Sequence, residues 1–387
     1  MSSPDLTAAE RQAVQAVMQS PVLSMGEHTT AFEAAVSDYV GSKYAIAVNS
    51  GTAGLHLCVR AAGIGTGDLV LTTPFSFVAS TNVLLYENAV PIYVDVDPLT
   101  ANIDPQRLQE AAHDLAQGGA AAARWLPRRG VINHAQAAKA VLPVDVFGQP
   151  ADYDAILATA QSHQLTLIED SCEALGAEYK GTPAGRFGHS GVFAFYPNKQ
   201  MTTGEGGMIV TDDEQAAQLM RALRNQGRAE GDTWLEHSHM GYNYRTTELS
   251  AALGRIQLGR LNEMVAQRGQ VAGWYSEQLA DFELVETPQV VASTSRMSWF
   301  VYVVRLAPQI DRQAVIARLA DANIPVRPYF TPIHLQKYMR ERFGYQSGDF
   351  PITEDLGARS LALPFSSVMT QDQVSLVCAE LQRAILA

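Results

Sequence analysis

Two kinds of apolar pattern alternate along the first 250 residues of the chain. Short runs rich in Val and Ile, bounded by Gly, Pro or Asp, predict buried strands. Between most of them, apolar residues recur at the spacing of an amphipathic helix. The predicted strands are YAIAV (44–48), LVLTT (69–73), VPIYVDV (90–96), AVLPVDVF (140–147), LTLIED (165–170), GVFAF (191–195) and GGMIVT (206–211). The predicted helices cover residues 52–62, 105–116, 151–163 and 213–225. This alternation is typical of an α/β fold with a large, mostly parallel sheet covered by helices.

The pattern changes after about Ser250. A long helical stretch to about residue 279 leads into the strand-like SWFVYVVRL (298–306), a helix near 311–322 and a last helix from Thr370. We interpret this part as a second, smaller α+β domain. The chain is therefore predicted to consist of a large domain, residues 1–250, and a small C-terminal domain, residues 251–387.

The composition excludes several classes of function. The 387 residues are 47% hydrophobic and 18% charged, and no apolar run approaches the roughly 20 residues that a membrane span needs. A net charge of −12 argues against nucleic-acid binding, which requires a basic surface. The start of the chain lacks a secretory pattern, and the widely separated Cys58, Cys172 and Cys378 are typical of reduced thiols. We expect a cytoplasmic protein that binds no membrane, nucleic acid or metal.

One segment departs from the regular alternation. Residues 112–140 are rich in Ala and Gly and contain Arg124, Arg128 and Arg129. We expect an exposed excursion before the next strand and assign it no function.

Ligands in an open α/β sheet bind beyond the carboxyl ends of the strands, so the residues after each strand are the candidates for chemistry. After the first strand, Ser50, Gly51 and Thr52 open a helix whose free N–H groups can hold a phosphate, although such residues are mostly plain caps. After the second strand, Phe75 or Phe77 can cover a flat ring, although an aromatic residue there is more often part of the core.

Two further strand ends carry charged residues. Asp170 ends the fifth strand, where a carboxylate is either a helix cap or a ligand group. Lys199 follows the sixth, in FYPNKQMTTGEGG, and is the only lysine or arginine between Arg186 and Arg221. The chain has five lysines against twenty-three arginines. A surface lysine usually has acidic neighbours at helical spacing, but the first acidic residue after Lys199 is Glu205. We therefore predict a chemical role for Lys199.

Together these strand ends match the needs of pyridoxal phosphate. This cofactor requires a phosphate site, a cover for its ring, a carboxylate at its pyridine nitrogen and a lysine that forms an imine. A buried Asp favours the protonated pyridine by charge pairing. The lysine must lose its proton to attack an aldehyde, and we expect a partly apolar site poor in carboxylates to encourage this.

A set of segments recurs in the same order in one known family. They are NSGTAGL, PFSFVAS, PIYVDVDP, FGQPADYD, IEDSCEALGAEYKG, FYPNKQMTTGEGGMIVTDD, LRNQGR, GYNYRTTELSAALG and PYFTPIHLQ. In these segments, and from about Val22 to Leu381, the chain resembles the DegT/DnrJ family of sugar aminotransferases, which are pyridoxal phosphate enzymes of fold type I.

The resemblance implies a role for each site residue. Lys199 would form the imine with the cofactor and act as acid and base, and Asp170 would face the pyridine nitrogen. The other implied contacts are Gly51 and Thr52 to the phosphate, Phe77 to the ring, Asn243 to the phosphate of the neighbouring subunit, and His334 to the substrate. Two residues depart from many relatives: Ala194 replaces a serine that contacts the phosphate, and Glu173 replaces a glutamine near the cofactor's phenolic oxygen. A carboxylate close to Asp170 is repelled unless it is protonated or turned away.

The expected reaction is transfer of an amino group from an amino acid, L-glutamate being our choice, to a nucleotide-linked keto-deoxysugar, in a homodimer with shared active sites. PYFTPIHLQ and FPITEDLGARSLALPF resemble perosamine-type relatives that aminate C4. One alternative is an enzyme of this fold that dehydrates a sugar or acts on a simpler amine or ketone. Family members that dehydrate carry histidine instead of the lysine, so the presence of Lys199 favours transamination. Another alternative is a non-catalytic pyridoxal phosphate regulator, although the chain shows no appended DNA-binding or signalling module.

Overall fold

A computed structural model describes residues 4–131 and 137–387 of the chain. Its helices are α1 (Ala8–Val17), α2 (Glu27–Val40), α3 (Gly51–Ala61), α4 (Ala79–Tyr86), α5 (Pro105–Gln117), α6 (Gly119–Ala123), α7 (Tyr153–His163), α8 (Glu214–Arg224), α9 (Glu248–Gly259), α10 (Leu261–Leu279), α11 (Arg312–Asp321), α12 (Lys337–Phe343), α13 (Pro351–Arg359) and α14 (Gln371–Leu386). Its strands are β1 (Tyr44–Val48), β2 (Leu69–Thr72), β3 (Val90–Tyr93), β4 (Ala138–Leu142), β5 (Thr166–Asp170), β6 (Glu178–Tyr179), β7 (Thr182–Pro183), β8 (Ser190–Ala194), β9 (Gly207–Thr211), β10 (Val285–Glu286), β11 (Thr294–Arg296), β12 (Tyr302–Leu306) and β13 (Ser360–Leu363).

The large sheet has seven strands in the order β1-β9-β8-β5-β4-β2-β3. β9 is antiparallel to both of its neighbours, with Val48 opposite Gly207 in the pair with β1. The remaining pairs, from β8 through β5, β4 and β2 to β3, are parallel. The predicted mostly parallel sheet is therefore confirmed, and β1, β2, β4, β5 and β8 all point their carboxyl ends to one edge.

Most strands of the large sheet are largely apolar because their side chains pack into a core on each face of the sheet. Successive side chains of a strand point to opposite faces of the sheet. In β1, Ile46 and Val48 pack in a cluster with residues of α3 and α8, whereas Ala45 and Ala47 pack in a cluster with residues of α2. Burial on both faces explains why these runs lack the apolar–polar alternation of a half-exposed strand.

The C-terminal part contains a second sheet of β10, β12 and β13, all antiparallel, which packs with the second half of α10 and with α11 and α14. The chain passes between the two cores within α10, since Val265 belongs to the core around Phe32 and Val271 to the core on the second sheet. α9 packs against α2 so closely that a Cβ atom on Gly254 would lie 2.6 Å from the Phe32 ring. The division at residues 250 and 251 stays a prediction.

The strand predicted for residues 298–306 is shorter than expected. β12 begins at Tyr302, because Trp299 has a φ of 53° and the N–H groups of Ser298 and Phe300 bind the carbonyls of Gly148 and Phe147 instead of a strand. Hydrogen bonds to the large domain thus replace sheet pairing at this point.

The segment 112–140 is described except for residues 132–136, so the prediction for those five lies outside the described residues. α5 extends to Gln117 and α6 follows it. Arg124 pairs with Asp114 and Arg128 with Asp349, and both arginines are more than half exposed. None of the helices in the described ranges is long and apolar enough to cross a membrane.

Candidate active site

A cavity of about 640 Å³ opens at the carboxyl ends of the parallel strands. Its walls come from the loops after β1, β2, β5 and β8 and from residues 328–331 and 336 of the C-terminal part. The predicted residues that the structure brings together in this cavity are Gly51, Thr52, Phe77, Asp170, Glu173 and Lys199. The rule that ligands bind at strand ends therefore located the cavity correctly.

Lys199 lies in the loop after β8, and its side chain is 13% exposed. Its backbone N–H donates to the Tyr196 carbonyl at 2.9 Å, and its own carbonyl accepts from Arg268 at 2.8 Å. Its Nζ atom lies 3.8 Å from the centre of the Phe300 ring and 3.5 Å from Oε1 of Glu173. The amine is thus fixed inside the cavity between an aromatic face and a carboxylate.

Asp170 ends β5 and is 4% exposed. Its carboxylate accepts a hydrogen bond from the Ser80 hydroxyl at 2.6 Å and one from the Cys172 N–H at 3.2 Å. The two donors hold the carboxylate in one orientation at the edge of the cavity. The sequence predicted no role for Ser80, although it lies in the PFSFVAS segment. Its partner, Asp170, is 90 positions away along the chain, and no local pattern indicates such a contact.

The start of α3 forms a cradle at the bottom of the cavity. The Ser50 hydroxyl caps the helix by accepting from the Ala53 N–H at 3.1 Å. The first N–H groups of a helix, here those of Gly51 and Thr52, have no partners within it and can bind an anion. A Cβ atom on Gly51 would lie 2.8 Å from the Ala194 Cβ and 2.9 Å from the Cys172 sulfur, so only glycine fits this position.

The structure separates the two aromatic candidates. Phe75 is completely buried and packs in the core, whereas Phe77 is 61% exposed and lines the cavity. Phe77 is therefore the ring that is free to cover a ligand. Tyr329 and Phe330, in the quoted PYFTPIHLQ segment, also line the cavity but received no role from the sequence.

Glu173 is buried, and its Oε2 atom accepts from the Phe147 N–H at 2.9 Å while Oε1 faces Lys199. Burial raises the pKa of the Glu173 carboxyl, and the nearby Lys199 opposes this rise. The expectation of a site poor in carboxylates is therefore wrong. Glu173 precedes Lys199 by 26 positions in the sequence, but the fold places its carboxylate beside the Lys199 amine. Ala194 lines the cavity beside Gly51.

Two predicted residues lie away from the cavity. Asn243 is exposed, and its carbonyl accepts from the Asn49 side chain at 3.4 Å. His334 is completely buried, with Nε2 3.0 Å from Glu354, and burial lowers the pKa of its imidazole. Gln336, two residues later, does line the cavity. The roles of Asn243 and His334 stay predictions.

The residues of the cavity suit pyridoxal phosphate. They supply a phosphate cradle that only a glycine can form, a free aromatic ring, a buried carboxylate with two donors and a primary amine. The family comparison decides the identity: residues 4–382 match the model of the DegT/DnrJ/EryC1/StrS aminotransferase family. The chain belongs to this family. It is an enzyme that transfers amino groups, and the resemblance stated from its motifs is confirmed.

Three relatives illustrate the match. The chain is 37% identical to the GDP-perosamine synthase of Caulobacter vibrioides over 100% of its own length and 98% of that protein. It is 36% identical to the spore coat polysaccharide biosynthesis protein SpsC of Bacillus subtilis, over 96% and 93% of the two chains. The crystal structure of S. venezuelae DesV in complex with a ketimine intermediate superposes with a TM-score of 0.85 at 27% identity, covering 97% and 94%. The predicted aminotransferase fold is confirmed.

Proposed function

We propose that this aminotransferase uses pyridoxal phosphate, held by Gly51 and Thr52 at its phosphate, Phe77 at its ring and Asp170 at its pyridine nitrogen. The bound cofactor supplies an aldehyde for imine formation and a ring that accepts electrons. The observation that carries the proposal is the placement of the Lys199 amine and the Asp170 carboxylate in one cavity with the glycine cradle.

Lys199 and Asp170 have different roles in the proposed reaction. Lys199 would hold the cofactor through its amine and, with the amino donor bound, would carry a proton at its Nζ atom. A positioned acid–base group of this kind contributes about 10²–10⁴-fold to the proton transfer. Asp170 holds a negative charge at a fixed, buried position. The rings of Phe300, Tyr329 and Phe330 form part of the cavity wall. An apolar wall of this kind would restrict water and strengthen the electrostatic interactions inside the cavity.

We further propose that the amino donor is L-glutamate and the acceptor a nucleotide-linked keto-deoxysugar. The name of the Caulobacter relative, a GDP-perosamine synthase, supports a nucleotide-linked sugar, and the perosamine-like C-terminal motifs support amination at C4. Asn243 of a second subunit would complete each phosphate site, and His334 would act near the substrate. We place the reaction in the cytoplasm, as the sequence analysis predicts.

A substrate screen tests this function. The purified protein, pyridoxal phosphate and L-glutamate are incubated with a panel of nucleotide-linked 3-keto and 4-keto deoxysugars, and the products are identified by mass spectrometry. We expect an amino sugar nucleotide and an equal amount of 2-oxoglutarate, and neither from Lys199→Ala. A dehydrated sugar, or binding of cofactor and glutamate without release of 2-oxoglutarate, would contradict the proposal.

A further inference from the structure

A buried arginine lies directly behind the loop that carries Lys199. Arg268 of α10 is 3% exposed. Its guanidinium donates to the Lys199 carbonyl at 2.8 Å, the Trp299 carbonyl at 3.1 Å and the Phe300 carbonyl at 3.2 Å. No carboxylate of the described residues forms an ion pair with this side chain, and burial lowers the pKa of its guanidinium to about 10.

A buried arginine without a carboxylate partner does not by itself stabilise the fold. A cation taken out of water without a counter-charge carries a large desolvation penalty, and an apolar side chain of similar volume is usually better there. Hydrogen bonds to carbonyls offset part of this penalty. The guanidinium also lies 5.6 Å from the centre of the Phe365 ring, but a cation–π contact of this kind contributes only about 0.5–2 kcal/mol. The hydrogen bonds to the three carbonyls are the contacts that connect Arg268 to the loop of Lys199.

The position of Arg268 in the fold explains why those carbonyls need fixing. It lies between Val265, in the core around Phe32, and Val271, in the core on the second sheet. Its three acceptors come from both sides of this junction. Trp299 has a φ of 53°, a strained conformation for a residue with a side chain, so this segment needs an external restraint. Phe300 in turn provides the ring that faces the Lys199 amine at 3.8 Å.

We infer that Arg268 is a positioning residue for Lys199: by tying the Lys199 backbone to the Trp299–Phe300 segment, it sets the place of the Nζ atom against the Phe300 ring and Glu173. The inference rests on the proposed function in so far as Lys199 is the reactive amine. Arg268 does not contact the cavity itself and acts through the two segments it joins.

The test compares Arg268→Gln and Arg268→Lys with Arg312→Gln. Arg312 serves as the control, because it is partly buried and also donates to two carbonyls, those of Gly357 and Ser360, and none of these three residues lines the cavity. The first measurement needs no cofactor: the apoproteins are labelled with acetic anhydride, and the labelling of Lys199 is divided by that of Lys337, which is 88% exposed. The second is the rate at which pyridoxal phosphate becomes attached to Lys199, trapped by borohydride and read by peptide mass.

We expect Arg268→Gln to raise the labelling ratio roughly tenfold or more, because losing charge-assisted hydrogen bonds favours local opening of the loop. Attachment should slow roughly ten- to a hundredfold, as expected for a misplaced reacting group. The labelling ratio and the attachment rate of Arg268→Lys should lie between those of Arg268→Gln and the wild type. Arg268→Lys is used in place of Arg268→Gln if the latter does not fold. Arg312→Gln should lower the thermal midpoint but leave both measurements unchanged.

Labelling and attachment at wild-type levels in the Arg268 variants would overturn the inference, whatever their stability. So would equal changes in Arg312→Gln. If the labelling ratio changes as expected but the wild type attaches no cofactor at Lys199, the positioning role holds and the proposed function fails.

Discussion

The Oε1 atom of Glu173 lies 3.5 Å from the Nζ atom of Lys199 inside a largely buried cavity. Removal of both groups from water makes their attraction stronger than that of a surface ion pair. The same carboxylate also accepts from the Phe147 N–H. Glu173 is thus held in place from one side and interacts with the catalytic candidate from the other.

Glu173→Gln should therefore change how the amine reacts. The carboxylate attracts the amine and holds it on the Glu173 side of the cavity, 3.5 Å away, and the neutral amide of glutamine would hold it less strongly. We expect pyridoxal phosphate to attach to Lys199 up to about tenfold faster in Glu173→Gln, because roughly 1.4 kcal/mol of pairing no longer has to be broken before the amine reaches the aldehyde. The measurement is the attachment rate between pH 6 and 9. Identical pH profiles in the two proteins would show that the pair has no effect on attachment.

Asp170→Asn should keep the fold and lose most of the activity. The amide can still bind the Ser80 hydroxyl and accept from the Cys172 N–H, but it carries no charge. Loss of a preorganised electrostatic group typically lowers turnover by about 10²–10³-fold. The matched control is Ser80→Ala, which removes the hydrogen bond and keeps the charge, and should lose less than Asp170→Asn. If Asp170 were only a structural cap, the thermal midpoint would fall while turnover per folded molecule was retained.

Asp145 should make the protein less stable as pH rises. It is completely buried and accepts from the Ala151 N–H and the hydroxyls of Tyr153 and Ser171. Burial raises the pKa of Asp145 from 3.8 to about 6. The folded chain thus retains a proton that the unfolded chain has lost, and the free energy of unfolding falls between these two pH values.

Asp145→Asn removes this titration, so the stability of the variant should increase relative to that of the wild type as the pH rises. From pH 5 to 7.5 the difference in unfolding free energy should move by about 1.4 kcal/mol in favour of the variant. Urea denaturation of both proteins at the two pH values measures it, because contributions from groups that do not interact with Asp145 cancel in the difference. Burial and the nearby Asp145 raise the pKa of Glu169 to about 8, so Glu169 should add to the change in the same direction. The exposed Asp321→Asn serves as control and should show no such change. A difference that stays constant with pH would mean that Asp145 is already ionised in the folded protein.

The sequence predicted the parts of this site that depend on strand order. Gly51 and Lys199 each follow a strand and Asp170 ends one. Parallel strands bring their carboxyl ends to one edge of the sheet, independently of the segments that connect them. No local sequence pattern predicts the pairing of Glu173 with Lys199 or the contacts of Arg268. Both depend on the paths of loops that bring distant residues together. The strand predicted from Ser298 was wrong at its start for the same reason, since its backbone binds residues 147 and 148, about 150 positions earlier.

Asn243 provides the last prediction, because the structure leaves it exposed on a single chain and outside the cavity of that chain. The resemblance implies that this residue reaches the phosphate of a neighbouring subunit. If it does, two inactive variants should repair each other. Lys199→Ala supplies an intact Asn243, and Asn243→Ala supplies an intact Lys199.

The two variants are unfolded and refolded together so that the chains exchange. In a mixed dimer, the site with the intact lysine receives its asparagine from the Lys199→Ala chain and is wild type, while the other site carries both defects. Random pairing makes half of the dimers mixed, each with one good site of two, so about a quarter of wild-type activity should return. If Asn243 serves its own chain instead, no site is repaired, and the mixture will show only the average activity of the two variants.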